Sequence, residues 1–144
     1  KKPQESKEIL IFSTCITTDK KKDFYQRLTE IQEKLIKYIE KYDPKFFVFE
    51  ELYFSNNTKT ALKVAEARGV IGSCALFKKI PVYEIHPKHV KIAITGHGGA
   101  KKQDILWMLP KFINLGTEKK LDDELDAIAI GLAFFAQYRI SQIS

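Results

Sequence analysis

Cysteine, histidine and long apolar runs are all scarce in this chain of 144 residues. The two cysteines, Cys15 and Cys74, lack CxxC spacing, which argues against a zinc or thiol-redox site. Their apolar surroundings indicate buried free thiols in a reducing, cytoplasmic compartment. The three histidines do not follow HExxH or similar spacing, so no zinc site is predicted. No apolar run approaches the length that crosses a bilayer.

What is present is an ordinary globular composition with a basic balance. Hydrophobic residues make up 44% and charged residues 29% of the sequence, and the length suits a single domain spanning residues 1–144. The net charge is +6. Because many of the acids concentrate in short segments, the remaining surface is more basic than this total suggests. That distribution favours a polyanionic partner.

The order of predicted elements indicates an α/β fold with parallel strands. Apolar residues recur at helical spacing after Asp23, which can cap that helix, and Asp43-Pro44 ends it. The apolar run Phe46–Phe49 reads as a buried strand. The other predicted elements are a strand at Ile9–Thr17, a helix at Lys59–Phe77, a strand at Pro81–Ile85, and helices that begin at Pro87, Lys101 and Asp122.

An acidic cluster opens the otherwise apolar segment Leu121–Ala133. Asp123 and Asp126 stand three residues apart and share one helix face. Carboxylate oxygens are ligands of Mg²⁺, so this pair is a candidate metal site. The alternative is helix capping and complementarity to the helix dipole, which suits acids in a first turn. Asp126 fits that alternative less well because apolar residues surround it.

Glu50 and Glu51 follow the apolar run Phe46–Phe49. Ligands of α/β sheets bind at the carboxyl ends of strands, where these acids are predicted to lie. Strand alternation sends the two side chains to opposite sides, so only one of them is expected to join a site. The alternative is that both are solvated loop acids.

A basic segment surrounds the glycine-rich stretch Gly96–Gly99. Its lysines suit a nucleic-acid backbone, and a helix starting near Ala100 offers N–H groups to an anion. The alternative is a solvated basic face. Tyr53 can stack on an unpaired base, although plain packing under its loop explains it equally well. The candidate DNA-binding residues are Tyr53, Lys88, Lys91, Lys101 and Lys102.

Several blocks, in order, resemble the RuvC-type Holliday junction resolvases of the ribonuclease H-like superfamily. The run from Phe47 to Phe54 is similar to an apolar strand that closes on a catalytic Glu and an aromatic. Ala61–Ile71 is similar to the family's "ALKLGQARG" helix, and Asp123–Gly131 to its closing "D..DALA.A". Pro87–Lys91 and Gly96–Gln103 resemble its "P..VK" and "G.G.A.K.QV" blocks.

The resemblance implies a Mg²⁺-dependent endonuclease that acts as a homodimer and makes paired nicks across a four-way DNA junction. It implies a ribonuclease H-like mixed sheet flanked by helices, and two Mg²⁺ ions in the complete site. Glu50, Asp123 and Asp126 would be metal ligands, and Lys102 would assist catalysis. Lys91 and Tyr53 would contact the junction, and a branch-migration helicase complex is a further expected partner.

The family begins with a strand reading roughly G-I-D-P-G, whose Asp is the first catalytic ligand, and no comparable block follows Lys1. We therefore expect this chain to be an N-terminally incomplete piece that lacks that strand. As printed, it should bind metal poorly and cut slowly or not at all. An Asp-bearing strand added ahead of Lys1 should restore nicking of a four-way junction.

Two other functions remain open from the sequence. A degenerate ribonuclease H-like domain would hold branched DNA without cutting it. A different nuclease of the same superfamily would prefer RNA–DNA hybrids or linear duplexes.

Overall fold

The computed structural model describes residues 8–52 and 58–143. Its elements are α1 (Phe24–Tyr42), β1 (Phe47–Glu50), α2 (Thr58–Phe77), β2 (Val82–Ile85), α3 (Pro87–Thr95), α4 (Lys102–Phe112) and α5 (Asp122–Ile143). Two compact units contain them: one comprises Ile16–Glu84, and the other comprises Ile85–Ser144 with the segment up to Cys15. The predicted α/β class is confirmed, with five helices and a small parallel sheet in the described residues.

Helix α1 begins and ends where the sequence predicts. The Asp23 side chain accepts a hydrogen bond from the Gln26 backbone N–H, and the Gln26 side chain accepts one from the Asp23 N–H, which completes a capping box. Asp43, just before Pro44, ends the helix in the left-handed conformation with φ 43°. The two buried side chains, Leu28 and Ile39, belong to the predicted apolar stripe.

The β1–α2–β2 crossover forms the rest of the Ile16–Glu84 unit. Ile39, Ala75 and Ile80 form its buried cluster, against which Leu35, Phe47 and Val82 pack. Only four residues long, β1 is half-buried at Phe47–Phe49 and exposed at Glu50. The expectation of a strand buried on both faces is therefore wrong for β1, because the described sheet has only two strands.

In the other unit, α5 packs against α3 and α4. Leu109 of α4 and Ala133 of α5 are fully buried, and Ile94 of α3 is nearly so. Gly96 ends α3 with φ 78°, a left-handed conformation that a glycine adopts without strain. Pro110 lies inside α4, which ends two residues later, as its late position predicts.

The predicted strand at Ile9–Thr17 is wrong for this structure. Residues 9–17 form no strand hydrogen bonds. A single parallel bridge joins Glu8, just before this segment, to Ile113. Ile9 and Ile11 are 85% and 81% exposed. Residues with high strand propensity form a strand only when a neighbouring strand supplies hydrogen-bonding partners, and the described residues supply none here.

None of the five described helices combines the length and the hydropathy that a membrane-spanning segment needs.

Candidate active site

The acidic cluster lies at the start of α5, as predicted. The helix begins at Asp122, and Asp122, Asp123 and Glu124 fill its first turn. Asp123 is exposed, whereas the Asp126 side chain is partly covered, with 43% of its surface accessible. The two carboxylates therefore face an accessible side of the helix, where their oxygens suit a hard divalent cation.

Lys102, at the start of α4, lies against this cluster. Its Nζ is 2.9 Å from Asp126 Oδ2 and 3.6 Å from Asp122 Oδ2. The hydrogen bond to Asp126 raises the pKa of the Lys102 ammonium, with smaller contributions from the nearby Asp122 charge. A lysine that stays charged beside a carboxylate can also neutralise a phosphate brought to the same place.

The buried acid of the first turn is Glu124, one of the acids for which helix capping was the alternative to a metal site. The Ser13 hydroxyl donates to Glu124 Oε1, and Lys120 Nζ contacts both Ser13 Oγ at 2.8 Å and Glu124 Oε1 at 3.1 Å. The backbone N–H of Leu121 donates to Glu124 Oε2 at 3.4 Å. A glutamate three residues after the N-cap signals this last contact, but no sequence pattern signals a partner 111 residues away.

Replacing Glu124 with glutamine is expected to lower the thermal unfolding midpoint at pH 7 by more than an exposed replacement does. The Ser13 and Lys120 hydrogen bonds lower the pKa of Glu124 below its ordinary value of 4.5. A lowered carboxyl pKa stabilises the folded state above that value, and the contribution disappears as pH falls through the folded pKa. The difference in unfolding midpoint between wild type and Glu124→Gln should therefore narrow as the pH falls below 4.5 towards 3.

The matched control is Glu118→Gln, at an exposed acid of the same unit. Its melting curves should overlay those of the wild type at every pH. A Glu124→Gln deficit that persists undiminished at pH 3 would contradict the assigned charge network.

Glu50 is the last residue of β1 and is exposed. Arg68 of α2 holds its backbone rather than its side chain, since Arg68 Nη1 donates to the Glu50 carbonyl oxygen at 2.6 Å. Glu51, the residue after β1, is half-buried, and the prediction that the two acids face different sides stays a prediction. The side chain of Glu50 is thus the more accessible of the two for a ligand.

The basic segment runs from α3 through the glycine-rich turn to the start of α4. Lys88 and Lys101 are exposed, and Lys91 is half-buried. A Cβ at Gly98 would lie 2.9 Å from Cε of Lys88, so the absence of a side chain at Gly98 lets the Lys88 stem lie across this turn. Asp104 Oδ2 accepts from the Lys101 backbone N–H at 2.7 Å. One of the N–H groups predicted to be open to an anion is therefore already bonded within the chain.

The structure brings Asp126, Asp122 and Lys102 together within one unit. Glu50 belongs to the other unit, so the convergence of Glu50 with Asp123 and Asp126 stays a prediction. No cluster of three or more His, Cys, Asp or Glu side chains within residues 8–52 and 58–143 is arranged to hold a metal ion. Tyr53, the candidate stacking residue, lies outside the described residues.

Comparisons with known proteins identify the family to which this chain belongs. Residues 3–134 match the family described as crossover junction endodeoxyribonuclease RuvC. The chain is 43% identical over 133 residues to the RuvC of Brachyspira hyodysenteriae. This alignment covers 91% of the present chain and 81% of the Brachyspira protein. The chain is 35% identical over 134 residues to the RuvC of Thermotoga maritima, covering 93% and 80%.

A solved structure described as T. thermophilus RuvC in complex with Holliday junction substrate superposes with a TM-score of 0.80. The sequence identity is 27%, and the match covers 86% of this chain and 75% of that one. Its fold agrees with the predicted ribonuclease H-like class. A family match over most of the chain, relatives above one third identity and a shared fold lead to one conclusion: this chain belongs to the RuvC family of crossover junction endodeoxyribonucleases.

Proposed function

We propose that this protein resolves four-way DNA junctions by metal-dependent hydrolysis of phosphodiester bonds at paired positions. The observation that carries the proposal is the pairing of Lys102 with Asp126 at the start of α5, in a chain of the RuvC family. A solved relative of the same fold is described in complex with a Holliday junction. A net charge of +6 suits a nucleic-acid partner.

Glu50, Asp123 and Asp126 are the proposed metal ligands. Their donors are carboxylate oxygens on accessible side chains, which fits Mg²⁺ better than a soft or borderline metal. These residues would hold Mg²⁺, two ions in the complete site, and the chemistry that the metal would supply is activation of a water and stabilisation of the leaving oxygen. Lys102, whose Nζ lies 2.9 Å from Asp126 Oδ2, would neutralise phosphate charge at this place.

Junction binding is assigned to the basic segment and to Tyr53. Lys88, Lys91 and Lys101 lie on α3 or at the start of α4, near Lys102 in sequence and in the same unit. Phosphate contacts from these lysines position the DNA without reading its sequence. We further propose that the chain forms a single catalytic domain and acts as a homodimer, which is consistent with two cuts per junction. It would work in the cytoplasm together with a branch-migration helicase complex. Cys15 and Cys74 would remain free thiols there.

The test is cleavage of three labelled substrates: a four-way junction, a linear duplex and an RNA–DNA hybrid. Two forms of the protein are compared, the printed chain and the chain with an Asp-bearing strand added ahead of Lys1. We expect the extended form to nick the junction at paired positions in Mg²⁺, to leave the duplex largely intact, and to lose activity in EDTA. Junction binding should weaken steeply as salt rises in both forms.

Binding without Mg²⁺-dependent cleavage by the extended form would replace this proposal with the junction-binding module. Faster cleavage of the hybrid or the duplex than of the junction would indicate a different nuclease of the superfamily.

A further inference from the structure

Arg68 of α2 makes three contacts at the carboxyl ends of both strands. Its Nη1 donates to the Glu50 carbonyl oxygen at 2.6 Å, and its Nη2 pairs with Glu84 Oε1 of β2, also at 2.6 Å. The guanidinium carbon lies 4.3 Å from the centre of the Phe49 ring. Only 19% of the Arg68 side chain is accessible, so this residue is committed to its own unit rather than to solvent.

We propose that Arg68 is a positioning residue that fixes the end of β1 and thereby the direction of the Glu50 side chain. This inference rests on the proposed function, in which Glu50 is a metal ligand. The peptide group that follows Glu50 carries the carbonyl that Arg68 holds. Fixing that peptide while stacking on Phe49 restrains the backbone on both sides of the Glu50 side chain.

The combination of contacts requires a guanidinium. Its planar fork directs two N–H groups at two acceptors at once while its face stacks on an aromatic ring. A lysine ammonium could reach either the carbonyl or Glu84, but it has no planar face for Phe49. The ion pair with Glu84 does not explain the position of Arg68, because the Glu84 side chain is 55% accessible and exposed ion pairs contribute little to stability.

A restrained ligand is what a metal site needs from its surroundings. Groups that orient a metal ligand typically change metal affinity or activity by about 10- to 100-fold when removed. Within the described part of the Ile16–Glu84 unit, no group hydrogen-bonds to the Glu50 carboxylate itself. The backbone contact from Arg68 is therefore the side-chain restraint on Glu50 that the described part of this unit supplies.

The first readout does not involve metal. In metal-free protein, hydrogen exchange at the Glu51 amide, in the same peptide group as the Glu50 carbonyl, should be at least about tenfold faster in Arg68→Met than in wild type. Glu84→Gln is the matched control, because it weakens the ion pair but leaves the carbonyl and Phe49 contacts in place. Its exchange at Glu51 should stay close to wild type.

The second readout uses the chain with an Asp-bearing strand added ahead of Lys1. It is the Mn²⁺ dissociation constant by calorimetry, together with the Mg²⁺ concentration that gives half-maximal junction cleavage. Both should rise about 10- to 100-fold in Arg68→Met and in Arg68→Lys. Junction affinity without metal should not change. All constants are measured at temperatures below each variant's unfolding midpoint, so that unfolded protein does not affect them. If Arg68→Met does not fold, Arg68→Lys replaces it as the test variant.

Unchanged metal constants in both Arg68 variants would overturn the inference, as would equal losses in Glu84→Gln or a loss confined to junction affinity. Glu50→Gln distinguishes a failure of the proposed metal site from a failure of the positioning role of Arg68. If Glu50→Gln does not weaken Mn²⁺ binding, the proposed metal site fails. If it does while the Arg68 variants bind normally, the positioning role alone fails.

Discussion

In the chain with an Asp-bearing strand added ahead of Lys1, replacing Asp126 with asparagine is expected to lower the rate of junction cleavage in Mg²⁺ by about a thousandfold while leaving junction binding intact. The change keeps the size of the side chain and an oxygen that can accept from Lys102, but it removes the charge that a metal ion requires. Losing a ligand forfeits several kcal/mol of transition-state stabilisation, which corresponds to this rate loss. Single-turnover cleavage of a labelled junction gives the rate, and gel shift without metal gives the affinity.

Asp122→Asn is the matched control for this experiment. It removes the same charge from the same helix, one turn earlier, and Asp122 also lies near Lys102, at 3.6 Å rather than 2.9 Å. Asp122 is 74% accessible and is not among the proposed ligands. We expect Asp122→Asn to cut close to the wild-type rate. Wild-type cleavage by Asp126→Asn would make the metal assignment wrong, and equal losses in both variants would indicate a general effect of charge.

Glu50→Gln is expected to produce a loss of similar size, again about a thousandfold in single-turnover cleavage. Glu50 comes from the end of β1, far from Asp126 in sequence, and the prediction is that both bind the same metal centre. Glu51→Gln makes the same chemical change one residue later and should leave the rate close to wild type. An equal loss of rate in Glu51→Gln would contradict the assignment of Glu50, rather than its neighbour, as the metal ligand.

The double variant Glu50→Gln with Asp126→Asn tests the convergence of the two acids directly. Residues that act as one unit give strongly non-additive losses. The double variant should therefore cut little more slowly than either single variant. Losses that multiply to about a millionfold would mean that the two carboxylates act independently, against a shared metal centre.

Local patterns in the sequence predicted the helices well. The spacing of apolar residues, the capping residue Asp23 and the Asp43-Pro44 break located α1 because each depends on nearby residues. The segment Ile9–Thr17 has residues of the same predictive strength for a strand, yet it forms none in the described structure. A helix satisfies its hydrogen bonds within its own segment, whereas a strand depends on a partner that its own sequence does not contain.

The candidate site divides in the same way. Asp126 and Lys102 were both identified from their motifs, but their contact across 24 residues became visible only in the folded chain. Glu124 appeared to be an ordinary first-turn acid, and its burial depends on Ser13 and Lys120. Arg68 belonged to a recognised block, but no local pattern showed that its guanidinium would meet the Glu50 carbonyl.

The sequence by itself determined the family, the helix positions and the identity of the acids and lysines, because motifs and periodicity are properties of neighbouring residues. Tertiary structure alone decided which acid is buried, which lysine meets Asp126 and which side chain holds the end of β1. Burial and ion pairing depend on distances between residues far apart in the chain, and only packing sets those distances.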